Sequence, residues 1–292
     1  MSIAREGAAQ VESFFDQQTS TFSHLVHAGI GSACAVIDPV LGYDAESGLL
    51  DSAPADALLR AIEAKRLQVQ WILETHIHAD HLTAAAYLRD RSGGRIAAGR
   101  SIREVQRTFQ VRFDLPEDYC QASGQFDHLL APDEHFTIGS LSARALHVPG
   151  HTPADTAFLI GERQAFIGDT LFQPDIGTAR CDFPGGSAAQ LYRSIRRLLE
   201  LPDATRLFMC HDYPQDRAPQ AWCSVEEQRV HNLHMHEGVS AAQFIEWREE
   251  RDAGLEPPRL LIPALLWNLR AGVPPAGEVA GVRYRSPTTC PL

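Results

Sequence analysis

The chain of 292 residues carries 37 Asp and Glu against 26 Lys and Arg, a formal net charge of −11, with 44% hydrophobic and 22% charged residues. That balance belongs to a globular protein with chain enough to bury a core, in one large domain or two small ones. It excludes sequence-independent nucleic-acid binding, which needs Lys and Arg to displace backbone counterions, so any anionic ligand must meet a local group of arginines.

Patterning predicts short strands over 13–15, 21–27 and 33–37, the last closed by the turn dipeptide Asp38-Pro39. A helix follows over 53–66, where Leu58, Leu59, Ile62 and Leu67 make one apolar stripe, then a strand over 69–73. A second helical stretch, 83–90, ends at Ser92-Gly93-Gly94. The middle of the chain reads as a meander of strands over 95–98, 135–138, 141–147, 156–160 and 164–167. A third helix, 187–199, places Leu191, Ile195, Leu198 and Leu199 on one face and leads into a strand over 206–209. Beyond His211 the texture is helical and polar, with helices over 225–236 and 241–252 and an irregular Pro/Gly-rich tail from Gly272. There is no internal repeat. Two groups of strands with helices outside them suggest a layered α/β/β/α arrangement.

The longest apolar runs, 25–37 and 260–269, fall short of the roughly 20 residues of a membrane span, so no membrane contact is expected. The first residues lack a basic stretch followed by an apolar one, and Glu6, Glu12 and Asp16 are unlike a transit peptide, which gives the expectation of a cytoplasmic protein. Six cysteines without any C-x-x-C pair read as reduced thiols.

The most specific feature is Thr75-His76-Ile77-His78-Ala79-Asp80-His81, which directly follows the strand at 69–73. Three imidazoles and a carboxylate at a strand terminus have the density of a metal site, since neutral imidazole and carboxylate are the usual ligands of divalent ions. His151 in Pro-Gly-His-Thr, Asp169 in Gly-Asp-Thr and His211 in Cys-His-Asp-Tyr each follow a further predicted strand. Singly each reads as an ordinary loop residue. Together the four loops read as ligands converging at one sheet edge.

The succession T-H-x-H-x-D-H, a lone His, an Asp and a last His, over roughly 11–213, resembles the metallo-β-lactamase superfamily. The resemblance implies a four-layer αββα sandwich for residues 1–213, with 214–292 as a short helical C-terminal extension packed on the same domain. In dinuclear members His76, His78 and His151 would hold one metal, Asp80, His81 and His211 the other, and Asp169 would bridge them, to make a hydroxide for hydrolysis. A narrower resemblance is to the bacterial branch of the glutathione-persulfide dioxygenases. It is carried by T-H-I-H-A-D-H, P-G-H-T-P-A-D-T, I-G-D-T-L-F, the run from Pro174 to Gly186, C-H-D-Y, His231-Asn232, His236-Glu237-Gly238-Val239-Ser240 and Asn268-Leu269-Arg270-Ala271-Gly272. It implies one Fe(II) per chain on His76, His151 and Asp169, with glutathione persulfide and O2 as substrates and sulfite and glutathione as products. A rhodanese that supplies the persulfide and homo-oligomeric assembly come with the same resemblance. Two His and one carboxylate leave adjacent coordination positions open for sulfur and O2.

His78, Asp80, His81 and His211 all remain, as groups supporting the ligands or as holders of a second metal, and Asp80 and Asp212 are candidates to orient ligands by hydrogen bonds. For the glutathione carboxylates the candidates are Arg180, Tyr213 and Arg217, each also readable as a surface ion pair or a buried Tyr. His231, His234 and His236 resemble a further metal motif on a helix without converging carboxylates, and Cys181 reads as a small buried thiol or a persulfide acceptor. Two other functions stay open: a glyoxalase II-type dinuclear thioester hydrolase, against which the motif has Asp212 where those enzymes usually carry Glu, and a non-catalytic persulfide- or metal-binding protein.

Overall fold

The computed structural model describes residues 8–120, 125–274, 282, 284 and 285; most of the tail expected to be irregular, and Cys290, lie outside the described residues. The first half runs β1 (Gln10–Asp16), β2 (Thr21–His27), β3 (Ala33–Ile37), β4 (Val40–Tyr43), β5 (Leu50–Asp51), α1 (Ala53–Ala64), β6 (Gln68–Glu74), β7 (Leu82–Thr83), α2 (Ala85–Ser92), β8 (Arg95–Gly99), α3 (Ile102–Arg112) and β9 (His128–Leu130). The second runs β10 (His135–Ile138), β11 (Leu141–His147), β12 (Thr156–Ile160), β13 (Gln164–Phe166), α4 (Ala188–Leu199), β14 (Arg206–Phe208), β15 (Trp222–Ser224), α5 (Val225–His231), α6 (Ala241–Asp252) and α7 (Leu261–Asn268).

Two six-stranded sheets result, β1-β2-β3-β6-β8-β9 and β10-β11-β12-β13-β14-β15, with a small third sheet β5-β4-β7. The strand period of two sorts side chains between layers. Cys34 and Val36 of β3 face the helices α1 and α2, while Ala35 and Ile37 face the opposite sheet. Likewise Ala165 and Leu207 face the α4 side, and Phe166 and Phe208 point between the sheets. Helix α4 buries the predicted stripe of Leu191, Ile195, Leu198 and Leu199, and Ser187 caps it by accepting from the Gln190 N–H. The four layers are therefore the αββα sandwich that the sequence implied. No helix among the described residues is long and apolar enough to cross a membrane, and the five cysteines among them are free thiols.

The differences lie at helix ends and in elements that patterning did not announce. Helix α2 starts at Ala85 rather than Thr83, because Thr83 is occupied in β7: its hydroxyl donates to Glu74 and its N–H to Asn268. Helix α5 stops at His231, short of the predicted 236, because Asn232 turns extended and its side-chain oxygen accepts from the N–H groups of His234 and Met235. Helices α3 and α7 were not predicted. The run 260–269 is apolar on every side, as suits a helix buried all round.

Candidate metal centre

Each metal-type side chain sits on the loop leaving a strand of the two facing sheets: His76 to His81 after β6, His151 after β11, Asp169 after β13 and His211 after β14. His76, His151 and Asp169 offer one donor atom each within 4.8 Å of one another, and His78, Asp80, His81 and His211 do the same. Asp169 lies between the groups. One carboxylate oxygen is 3.8 Å from His76 Nε2 and 3.7 Å from His151 Nε2, and the other is 3.6 Å from His211 Nε2. Asp80 stands 3.3 Å from His81 Nδ1 and 3.1 Å from His211 Nε2.

Hydrogen bonds on the far side of the rings fix how they point. Thr75 donates both its N–H and its hydroxyl to Asp38 at 2.8 Å, so its oxygen is left to accept from His76 Nδ1 at 3.0 Å. His151 Nδ1 donates to the Arg180 carbonyl at 2.7 Å, and His211 Nδ1 to the Ser20 carbonyl at 3.2 Å. Three Nε2 atoms are thereby turned toward Asp169. His78 is held from behind, its Nε2 3.1 Å from Asp38 and 3.2 Å from Glu74.

The electrostatics call for a cation. Burial and the neighbouring imidazoles push His76 well below the ordinary imidazole value, which keeps it a neutral ligand. At His211 burial works the same way, but Asp169 and Asp80 outweigh it and hold the ring well above its ordinary value. Burial of Asp80 is likewise outweighed by His211 and His81, which hold the carboxyl well below the carboxylate range. Asp169 Oδ1, His81 Nε2 and His211 Nε2 are buried without a hydrogen bond, His211 Nε2 being near Asp80 but off its hydrogen-bonding line. Orphaned buried donors of this kind ask for a bound ion, so the residues fit a metal.

A cavity of about 390 Å³ opens beside the triad, with Asp80, His151 and Asp169 in its wall together with Arg180, Tyr213 and Arg248. Arg180 is committed within that wall: its guanidinium grips Asp182 at 2.6 and 2.5 Å and donates to the Glu256 carbonyl at 2.8 Å. Tyr213 stacks on His211 with ring centroids 5.7 Å apart. Arg217 lines a separate cavity with Gln173 and Trp222 and chelates Asp175 and Asp212. Asp212 is consequently spent on Arg217 and the Gln220 N–H, anchoring that loop rather than a ligand histidine.

His231, His234 and His236 share no point: His231 and His236 are exposed, and His234 lies against Trp247 with ring centroids 3.8 Å apart while accepting from the Thr178 N–H. Cys181 is buried, and burial pushes its thiol well up, which is the bland reading.

Sequence reasoning missed Asp38, Asn268, Arg248 and Arg251. Asn268 on α7 donates to the carbonyls of His78 and His81 and accepts from the Thr83 N–H, each at 2.8 Å, and so clasps the histidine loop. Arg248 and Arg251 reach the cavity from α6. Arg248, 1% exposed, pairs with Asp252, donates to the Thr178 carbonyl at 3.1 Å and keeps a buried Nε without a partner. Its signal was legible: Phe244, Arg248 and Asp252, at steps of four, put a charged pair on the buried face of a helix.

Residues 17–211 match the family model of the metallo-beta-lactamase superfamily. A probable metallo-hydrolase of Burkholderia pseudomallei is 48% identical over 94% of this chain and 97% of its own. Glyoxylase B2 of Dictyostelium discoideum is 41% identical over 94% and 95%. Among solved structures, ETHE1 from Myxococcus xanthus superposes with a TM-score of 0.70 at 27% identity, covering 90% of this chain and 100% of that one.

Proposed function

The chain belongs to the metallo-β-lactamase superfamily, and on that premise we propose that it is a mononuclear non-haem iron dioxygenase that oxidises glutathione persulfide. The net reaction is GSS⁻ + O2 + H2O → GSH + SO3²⁻ + H⁺, a step in sulfide detoxification. The observation that carries the reading is the open triad of His76, His151 and Asp169, of which His151 and Asp169 stand in the wall of a cavity that also holds arginines. The His78 ring lies beside His76, but its Nε2, which a dinuclear hydrolase would need on the metal, is turned to Asp38 and Glu74. The likeness to ETHE1 from Myxococcus xanthus over nearly the whole chain supports the reading. Fe(II) on the triad would supply the binding and activation of O2 next to a persulfide sulfur.

The chain's own residues bind and orient. A glutathione carboxylate would meet Arg251, beside the buried Arg248, because Arg180 has already given its fork to Asp182 and Arg248 is paired with Asp252. Arg180 still acts on the site, since its carbonyl fixes His151. Tyr213 stacks on His211 in the cavity wall, while Arg217 steadies the following loop through Asp212. A rhodanese-type supplier of the persulfide, homo-oligomeric assembly and a cytoplasmic site of action belong to the same proposal.

A second reading, a dinuclear thioester hydrolase, is favoured by the orphaned His81 Nε2 and His211 Nε2 at the inner group. The test is metal content per chain on protein handled anaerobically, followed by O2 uptake and sulfite release with glutathione persulfide. About one iron per chain with O2 and sulfite in equal amounts is expected. Iron-loaded protein that binds the persulfide but takes up no O2 overturns the proposal, and turnover of S-lactoylglutathione with two metals bound establishes the hydrolase.

A further inference from the structure

Among the described cysteines, Cys34, Cys120, Cys181 and Cys223 pack in or against apolar clusters, whereas Cys210 belongs to none of them. It is 1% exposed, and what surrounds it is metal-type: its Sγ lies 4.0 Å from His78 Nδ1, and it shares one group with Asp38 and His78 and another with Asp169 and His211, donor atoms in each lying within 4.8 Å. The backbone fixes it there. Its N–H donates to the Gly168 carbonyl at 3.2 Å, one residue before Asp169, and its carbonyl accepts from the Phe22 N–H at 2.6 Å.

A buried cysteine alone carries no meaning, but two of its partners are short of a bond. Asp169 Oδ1 and His211 Nε2, both buried and both without a hydrogen bond, face each other at 3.6 Å. We propose that Cys210 is a further metal ligand, a thiolate that joins His211 and Asp169 to make the inner half of the centre a site for a thiophilic ion such as zinc or cadmium. Thiolate selects soft ions, and imidazole with carboxylate completes a donor set that such ions accept. His78, with Nε2 tied to Asp38, turns Nδ1 toward the same sulfur. On binding, the thiol proton leaves to solvent and sulfur keeps the electron pair that it gives to the ion. The inner site would use Asp169 Oδ1 and the outer triad Asp169 Oδ2, so the two share that residue but not a donor atom.

The experiment titrates the full chain, stripped by chelator, first with Co(II) and then with Cd(II). One equivalent should bring a thiolate-to-cobalt charge-transfer band in the near ultraviolet. Cys210→Ser should lose that band, keep the ligand-field bands of the outer ion and bind the inner ion at least tenfold more weakly, about 1.4 kcal/mol. Cys34→Ser and Cys223→Ser should keep the band. Cadmium NMR of the wild-type chain gives the same answer without a variant, since one thiolate ligand moves the resonance strongly downfield. No charge-transfer band in the wild type, a band that survives Cys210→Ser, or a cadmium resonance typical of nitrogen and oxygen ligands alone each overturns the proposal. None of these readouts involves O2 uptake, so failure here is separate from failure of the dioxygenase reading.

Discussion

Replacing Asn268 by Leu tests whether the C-terminal helix holds the metal loop. Asn268 is 2% exposed, and its three hydrogen bonds end on the carbonyls of His78 and His81 and the N–H of Thr83, all at 2.8 Å. Leu keeps the volume and abandons all three backbone groups in the interior. An orphaned buried group costs about 1–3 kcal/mol, and a carbonyl is more forgiving than an N–H, so the loss comes to about 4 kcal/mol. For a chain of this size that lowers Tm by about 10 °C. The effect should be largest in metal-stripped protein, because bound metal holds the loop from its other side, and metal affinity should fall about 10- to 100-fold, as for other groups that orient ligands. The assay is thermal unfolding with and without metal, beside a competition titration against a chelator. Trp267→Phe is the control: it removes the bond from Trp267 Nε1 to the Thr83 carbonyl and some core volume, should cost about 2–3 kcal/mol, and leaves the His78 and His81 carbonyls clasped, so metal affinity should hold. If Asn268→Leu melts like the wild type and holds metal as tightly, β6 and β7 alone position the histidines and the clasp plays no part.

Arg248→Met should destabilise by about 3–5 kcal/mol, because it leaves the Asp252 carboxylate buried with only the Cys181 N–H; the double variant with Asp252→Leu should regain most of that stability while KM for the persulfide stays raised at nearly unchanged kcat, and recovery of KM would remove Arg248 from the substrate side. Gly150→Ala should cost about 3 kcal/mol and release metal, since φ is +153° and a Cβ would stand 2.3 Å from the backbone of Leu191, pushing α4 away from His151; unfolding and metal content measured together check it. Burial lowers His24 to about 4, so the folded state resists its protonation. The stability it contributes is complete above pH 6.5 and is lost as pH falls toward 4, by roughly 3 kcal/mol. His24→Gln should flatten that part of the pH profile, and an unchanged slope refutes the assignment.

The ligand residues were legible because their spacing is local: three histidines and an aspartate follow one strand within seven residues, and each later ligand directly follows a strand. Asp38 was read only as a turn residue, yet it accepts from Thr75 and His78 across 37 and 40 positions of chain. Asn268 acts on His78 across 190 positions, which no periodicity can announce. Arg180 and Arg217 were singled out because they neighbour the motifs, but nearness in sequence could not foretell that Asp182 and Asp175 would occupy their forks. The end of α5 was misjudged for a similar reason, since Asn232 spends its side chain on Gly177 as well as on its own turn.

These placements divide the chain by task. All donors that converge on Asp169 lie between His76 and His211, inside the segment that matches the superfamily model. The buried arginine that faces the cavity and the amide that locks the histidine loop both come from helices after residue 240. The arginines of α6 therefore join a cavity whose wall from Asp80 to Tyr213 comes from the metal-bearing stretch, and the two stretches meet only in the fold. A relative that keeps the metal loops but differs in α6 and α7 should bind the same ions and take a different anion, which is the sense in which the superfamily membership leaves the substrate undecided. The buried pair of Arg248 with Asp252 makes that choice hard to drift, because changing the arginine alone strands a carboxylate in the interior, whereas changing both resets the cavity at small cost.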